Sequence, residues 1–246
     1  KDEVRIMAGI IKEALQWIVE SQQPKIVEHG LWSYTDEKLQ RLDESLRAEA
    51  LGMTTLSGLV DYIKSNVDEI EGDMLVHVVS PTEVRLISPL DLDRERECLV
   101  RAKAELPGIT YGKFVDAEAF LISLRSNFLQ NEGAEALLRF AGTIESGTLA
   151  TYGDDGVSQT ATVKKGIAGK ETALVPNPVK LRPYRTFVEV TQPESEFVFR
   201  MKDYDGGVYC AIFEADGGAW KREAMKNIRN HLEVELEDFP NFVVIS

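Results

Sequence analysis

The sequence predicts an α+β fold whose strands pair mainly as antiparallel hairpins. Phe197, Phe199 and Met201 recur at every second position, which is the period of a pleated strand with one buried face. A turn at Asp205-Gly206-Gly207 then leads into an apolar strand over 208–213, because glycine and aspartate tolerate the positive φ of such turns. Both faces of that strand are apolar, so we expect it to be covered on both sides. Strands come in neighbouring pairs without βαβ alternation, which favours the α+β class.

The composition is that of a globular protein with a substantial core. The chain has 246 residues, of which 43% are hydrophobic, and this is enough for one large or two small domains. We expect an N-terminal helix over 1–24, an α+β region over 25–142 and a β-rich region with a C-terminal helix over 143–246. The alternative is that the last two regions form one continuous domain.

The net charge and the cysteine content disfavour several classes of protein. The net charge of −13 repels a phosphate backbone, which disfavours a general duplex-DNA binder but leaves a local basic patch open. Cys98 and Cys210 lie far apart in apolar runs and make neither a disulfide framework nor a metal-ligand set. No apolar run approaches the ~20 residues of a membrane span. We expect an acidic cytoplasmic protein without membrane contact or cofactor.

The N-terminal segment predicts an amphipathic helix from about residue 3 to residue 21, closed by Pro24. Its apolar positions recur every three to four residues, and Trp17 among others widens the apolar arc beyond one narrow stripe. We therefore expect a contact between subunits through this helix, with the packing of the helix on its own core as the alternative. The predicted contact residues are Met7, Ile11, Leu15 and Ile18.

The segments that follow are predicted from turn residues and periodicity in chain order. Thr54 or Thr55 caps a helix with Leu56, Leu59, Val60 and Ile63 inward, and Asp116 caps a helix that carries Phe120, Leu121, Leu124 and Phe128. The remaining predicted elements are a hairpin about His29-Gly30, a hairpin of 75–80 with 84–88, a strand over 98–106, a helix over 134–141 before Gly142, strands after Ile144, and a last helix after Asp216-Gly217-Gly218.

The search for catalytic and metal-binding motifs finds only weak matches. The segment 166–172 resembles a phosphate loop, but its spacing is too short and Glu171 follows the lysine where a Ser or Thr is needed. The acidic run 91–97 lacks the glycine and terminal glutamate of a calcium loop. His29, His77 and His231 have no partners at short spacing, so we expect structural roles for them. The sequence predicts neither an enzyme nor a metal site.

One basic segment remains as a candidate binding surface or interface. Arginines that alternate with an aromatic ring can stack on a base or grip a phosphate, and in an acidic protein they can equally pair with carboxylates of a neighbouring subunit. Prolines in the same segment also blunt strand edges, which leaves a purely structural role as the alternative. The candidate residues are Lys164, Lys165, Lys180, Arg182, Tyr184 and Arg185.

Several short motifs resemble an uncharacterised family of tailed-phage and prophage proteins, the YfdQ-like proteins. They are TLSGLVDYI at 55–63, DDGVSQ at 154–159, PNPV at 176–179, PYRTF at 183–187 and FEADGGAW at 213–220. The resemblance covers roughly residues 25–236 and contains no known catalytic signature. It implies a cytoplasmic protein of a bacterial host cell, from a family found near recombination and early-region genes.

Taken together, these features predict a non-enzymatic phage or prophage protein that self-assembles into a symmetric homo-oligomer. The first alternative is an accessory of phage recombination that binds single-stranded nucleic acid through residues 182–185. The second is an antagonist of host defence that binds a host protein or a nucleotide.

Overall fold

The chain divides into two compact units, residues 1–47 and 48–246. Helices combine with sheets that are mostly antiparallel, which confirms the α+β class. The computed structural model describes residues 12, 14–18, 26–29, 32–35, 47–92, 94–145, 148–154, 159–165, 169–174, 177–204 and 207–246.

The first unit contains helical residues and a short hairpin. Lys12 and residues 14–18 are helical, in agreement with the predicted N-terminal helix, whereas Met7 and Ile11 lie outside the described residues. Strands β1 (Ile26–His29) and β2 (Trp32–Thr35) pair antiparallel with His29 opposite Trp32. The predicted hairpin about His29-Gly30 is therefore confirmed.

The second unit contains a five-stranded mixed sheet in the order β15, β4, β5, β6, β3. Its strands are β3 (Leu51–Met53), β4 (Met74–Ser80), β5 (Glu83–Ile87), β6 (Cys98–Lys103) and β15 (Phe242–Ile245). The three central strands are antiparallel, as predicted, but both edge strands run parallel to their neighbours. The prediction of mainly antiparallel pairing is confirmed, and the two edge strands are the exceptions, because each is separated along the chain from its partner by other elements and no tight turn fixes its direction.

Two helices cover one face of the mixed sheet, α1 (Leu56–Ser65) and α4 (Trp220–Glu235). Thr55 caps α1, since its hydroxyl accepts a hydrogen bond from the Gly58 N–H at 3.1 Å. The four predicted inward positions of α1 are all buried in the first core, as predicted. An ion pair of 2.9 Å between Lys64 and Glu235 links the two helices at the surface.

A second sheet of the same unit is wholly antiparallel, with the order β7, β14, β13, β12, β8. Its strands are β7 (Val115–Asp116), β8 (Phe128–Leu129), β12 (Val179–Pro183), β13 (Ser195–Tyr204) and β14 (Gly207–Glu214). Phe197, Phe199 and Met201 point into the second core, which confirms the period of two. Three consecutive residues of β14, 210–212, are buried, so the hairpin is covered on both faces at its centre.

Helices α2 (Ala117–Ser126) and α3 (Glu132–Glu145) supply the other side of the second core. Asp116 caps α2 as predicted, accepting from the Ala119 N–H at 2.8 Å. The assignment of Phe128 to this helix was wrong, because α2 ends at Ser126. Phe128 lies in β8, where it pairs with Pro183 of β12. The prediction that this helix ends before Gly142 was also wrong, because α3 continues to Glu145. An interior glycine costs only about 1 kcal/mol of helix stability, and packing on the sheet offsets that cost.

A three-stranded antiparallel sheet follows α3, which agrees with the predicted change from helices to strands after Ile144. It consists of β9 (Thr148–Asp154), β10 (Gln159–Lys165) and β11 (Gly169–Leu174), with β10 in the middle. Lys164 and Lys165 lie at the end of β10, where they pair with Lys170 and Gly169 of β11. Residues 166–168 of the glycine-rich segment lie outside the described residues.

The segment 184–194 joins the two cores of the second unit. Phe187 and Val190 are buried in the first core, while the neighbouring strands β12 and β13 belong to the second. The Gln192 carboxamide holds the segment together, since its oxygen accepts from the backbone N–H groups of Arg185 and Thr186 at 3.0 and 3.2 Å. Its nitrogen donates to the carbonyls of Phe187 and Val190 at 2.9 and 3.3 Å.

A carboxylate of the same segment caps a distant helix. Glu189 Oε1 accepts from the backbone N–H groups of Leu56 and Ser57, at 2.8 and 3.3 Å, at the start of α1. Negative charge is favourable there because the first N–H groups of a helix lack intrahelical partners. The segment thereby fixes α1 of the first core as well as its own backbone.

Two glycines of α3 should respond in opposite ways to replacement by alanine. A Cβ on Gly133 would collide with the Lys180 carbonyl oxygen, so we expect Gly133→Ala to destabilise the protein by about 1–3 kcal/mol. Gly142 has nothing within 4 Å of the added carbon, and Gly142→Ala should stabilise by about 0.5–1 kcal/mol. Urea unfolding of both variants measures the difference, and equal effects would contradict the close approach of α3 to β12.

Candidate functional site

Apolar side chains of the first unit are exposed where the sequence predicts a subunit contact. Leu15, Trp17 and Ile18 keep 58%, 68% and 46% of their surface accessible. Ile26 and Val27 of β1 are exposed as well, so helix and hairpin both present apolar surface. Of the predicted contact residues, Leu15 and Ile18 therefore lie on accessible surface, and the described structure does not bury them in a core.

The structure does not bring the basic candidates 180–185 together on one surface. Lys180 and Arg182 are exposed on the same side of β12, Tyr184 is half-buried, and Arg185 is only 5% exposed. Arg182 Nε lies 3.2 Å from Glu194 Oε2 in an ion pair. Lys180 stands opposite Glu196 in the register of β12 and β13. The side chains of Lys164 and Lys165 lie outside the described part of the structure.

Arg185 is the centre of a partly buried polar cluster. Its Nη1 donates to Glu214 Oε1 at 3.1 Å, and its Nη2 donates to the Ser195 hydroxyl and, at 3.5 Å, to the Pro193 carbonyl. The guanidinium also lies over the Trp220 ring, 4.1 Å from the ring centroid. A planar cation suits such a site because it donates in its plane and stacks on aromatic faces.

Asp216 connects this cluster to the first turn of α4. Its carboxylate accepts from the Ser195 hydroxyl at 2.8 Å and from the backbone N–H groups of Gly218 and Trp220 at 3.0 and 3.3 Å. Burial alone would raise the pKa of Asp216, but these three hydrogen bonds and the charge of Arg185 outweigh it and lower the pKa below its usual value. The positive φ angles of Gly217 and Gly218, 61° and 83°, allow the sharp turn that places the cap.

Tyr111 completes the cluster from the side of the second core. Its ring stacks on Phe197 with centroids 5.7 Å apart, and burial raises the pKa of its phenol to about 12. The phenol oxygen of Tyr111 and Nε of Arg185 are both buried, and neither has a hydrogen-bond partner among the described residues. The cluster therefore combines a neutral phenol, a guanidinium and two carboxylates, and its contacts are those of a structural ion network.

The weak catalytic and metal candidates lie on separate parts of the fold. Among the residues that the structure describes, no group of three or more His, Cys, Asp or Glu is placed to hold a metal ion. In the acidic run, the Asp91 carboxylate accepts from the Glu95 N–H at 2.8 Å and Asp93 lies outside the described residues. His77 lies on β4 and His231 on α4, both half-buried, and the side chain of His29 is outside the described set.

The two cysteines differ in their surroundings. Cys210 is fully buried in the second core, and burial raises the pKa of its thiol to about 12. This confirms the expected desolvation at Cys210. Cys98 is half-buried in β6 and lies on a different sheet.

Two clefts meet at Lys180 and Glu194. One, of about 280 Å³, reaches toward Asp216 and Trp220, and the other, of about 600 Å³, reaches toward the start of α3. Carboxylates outnumber amines in the smaller cleft, where Glu194, Glu196, Asp216 and Glu223 face a single lysine. This balance of charge opposes a phosphate backbone.

A third cavity, of about 380 Å³, lies between residues 108–115, helix α2 and strand β14. Its lining is mainly apolar, and no residue of the basic segment takes part in it.

No protein-family model matches this sequence, and no curated protein and no solved structure matches it either. In the described part of the chain, none of the helices combines the length and the apolar character needed to cross a bilayer. The role of the protein must therefore be inferred from its own residues.

Sequence reasoning found Arg185 but missed its partners. Ser195, Asp216 and Trp220 come from a strand end and a helix start, up to 35 residues away along the chain. The only sequence signal was the turn Asp216-Gly217-Gly218, which indicates the start of a helix and nothing about an ion network.

We expect the stabilisation provided by Asp216 to depend on pH. Its pKa is lower in the folded than in the unfolded chain, so the unfolded chain binds more protons between the two values. The stabilisation is complete above the ordinary Asp pKa of about 3.9 and is lost as the pH falls through the folded value. In urea unfolding, the stability gap between wild type and Asp216→Asn should therefore be constant above about pH 5 and shrink as the pH falls below about 4, and a gap that stays constant in acid would contradict the network.

The Cys210 thiol should be inert in the folded protein. With a pKa of about 12, only about one thiol in 10⁴ is ionised near pH 8, and the thiolate is the reactive form. In a Cys98→Ser variant, Ellman's reagent should titrate Cys210 slowly in buffer and rapidly after unfolding in guanidinium. Reaction in buffer at the rate of free cysteine would show that Cys210 is accessible.

Proposed function

We propose that this chain is a non-enzymatic protein that assembles into a symmetric homo-oligomer, with the first unit, residues 1–47, as the contact. The observation that carries the proposal is the exposure of Leu15, Trp17, Ile26 and Val27 in that unit. Contiguous apolar surface marks interaction sites, and the proposal is that these side chains contribute to such a surface.

The size of the first unit supports the proposal. A unit of 47 residues is near the limit below which a chain needs disulfides, a metal or oligomerisation to be stable, because it buries too little of its surface. Both cysteines of the protein lie beyond residue 47, and the unit has one histidine, His29. Association between copies would bury its apolar side chains, and closed symmetric assembly is the commonest form of such association.

The titratable groups of the second unit support a non-enzymatic role. His77 and His231 stand on different elements, and the Cys210 thiol is buried with a raised pKa. Neither histidine is placed with the cysteine in the way that nucleophilic catalysis requires.

Nucleic-acid binding through residues 182–185 receives no support from the geometry. Arg185 is buried against Trp220 and Glu214, and Arg182 is paired with Glu194. Among the basic candidates whose side chains the structure describes, Lys180 is the one exposed charge without such an ion pair, and it stands opposite Glu196. The resemblance to phage and prophage proteins sets the proposed assembly in the cytoplasm of a bacterial host.

The proposal is tested by the mass of the protein in solution. Mass photometry and size exclusion with light scattering should show a species well above the 27.5 kDa of one chain at micromolar concentration. A Leu15→Asp, Trp17→Asp double variant should dissociate, because burying unpaired carboxylates in the contact costs several kcal/mol. Both side chains are exposed within one chain, so the monomer should keep its fold by circular dichroism.

The matched control is Val188→Asp with Val234→Asp. These valines are 70% and 71% exposed on the second unit, so the control adds the same charge outside the proposed contact and should leave the assembly intact. A wild-type protein that runs as a single 27.5 kDa species would refute the proposal.

A further inference from the structure

The cavity between residues 108–115, helix α2 and strand β14 has the character of a small-molecule site. Its volume of about 380 Å³ falls in the range of about 300–1,000 Å³ that ligand pockets occupy. Its walls are built from side chains of the second core and its border, namely Ile109, Val115, Phe120, Leu124, Phe128 and Ile212. Such walls favour the apolar body of a ligand, because a polar group placed against them would lose its hydrogen bonds to water.

The polar groups of the cavity are mostly engaged with one another. Ser123 Oγ accepts from Asn127 Nδ2 at 3.2 Å, and Ser126 Oγ donates to the Ile122 carbonyl at 2.8 Å. Both serines and Asn127 therefore satisfy hydrogen bonds within α2 and its end. They leave few donors for a neutral polar ligand.

Lys113 is the exception to this pattern. It is exposed, it is the one charged side chain among the described residues that line the cavity, and none of the described residues forms an ion pair with it. In a chain of net charge −13, a lysine without a carboxylate partner at the border of an apolar cavity is a complementary site for an anionic group.

We propose that this cavity binds a medium-chain carboxylic acid, with the hydrocarbon against the apolar walls and the carboxylate beside Lys113. At ~30 Å³ for a group of the size of water, the cavity holds about a dozen non-hydrogen atoms, the size of decanoate. The proposal concerns the second unit alone and does not depend on the assembly through the first.

The test is isothermal titration of the full chain with decanoate and with decanol, the neutral analogue of similar length. Saturable binding of decanoate, tighter than that of decanol, is the expected result. Octanoate should bind about tenfold more weakly than decanoate, because each buried methylene contributes about 0.8 kcal/mol. Decanol that binds as tightly as decanoate would overturn the assignment of an acid, and absence of saturable binding would overturn the site.

Two variants distinguish the contribution of the carboxylate to binding from that of the hydrocarbon chain. Lys113→Ala should weaken decanoate about two- to fivefold, the usual strength of an exposed ion pair, and leave decanol unchanged. The matched control Lys226→Ala removes an exposed lysine of α4 that does not line the cavity and should change neither ligand.

Filling the cavity provides the second arm of the test. Ala119→Trp places a large side chain at an exposed lining position of α2 and should abolish binding of both ligands. Ser123→Phe fills the same cavity from one turn further along α2. It replaces Ala119→Trp in the experiment if circular dichroism shows that Ala119→Trp does not fold. A folded variant of either kind that binds decanoate as the wild type does would place the ligand elsewhere and overturn the proposal.

Discussion

The buried guanidinium of Arg185 is the constraint on which the second unit depends. A cation that is only 5% exposed is tolerated when hydrogen bonds and opposite charge replace the water it has lost. Glu214, Ser195 and the Trp220 ring provide that replacement, and they come from the end of β14, the start of β13 and the start of α4. One side chain therefore holds the ends of β13 and β14, two inner strands of the second sheet, against the helix that covers the first.

The same constraint accounts for the path of the segment 184–194. Once Arg185 faces the second core, Phe187 and Val190 reach the first core only through a tight irregular turn, and the Gln192 carboxamide satisfies the backbone groups of that turn. Unpaired backbone groups in such a place would cost about 1–3 kcal/mol each. Glu189 then extends the segment to the start of α1. The two cores are thus joined by polar contacts that satisfy most of the segment, while Arg185 Nε and Glu189 Oε2 are buried without a hydrogen-bond partner among the described residues.

Burial of Arg185 also decides which surfaces are left for binding. Arg182 and Arg185 form ion pairs with Glu194 and Glu214, and carboxylates predominate in the smaller of the two neighbouring clefts. Among the described residues, the apolar surfaces that our two proposals use are the exposed side chains of the first unit and the cavity beside α2. Their chemistry differs, since the first presents apolar side chains on accessible surface beside exposed polar ones such as Lys12 and Glu28, and the second is a concave site with Lys113 at its border.

The sequence by itself determined the fold class, the hairpins about His29-Gly30 and 205–207, the cap at Asp116 and a cap at Thr54 or Thr55, because these follow from local periodicity and from the preferences of single residues. The structure selects Thr55. The tertiary structure alone decided the parallel edges of the mixed sheet, the strand position of Phe128 and the passage of α3 through Gly142. It also turned Arg185 inward, against the expectation of an accessible binding residue. Each of these depends on partners far along the chain, and a local pattern carries no information about which distant groups will satisfy a buried charge or a free strand edge.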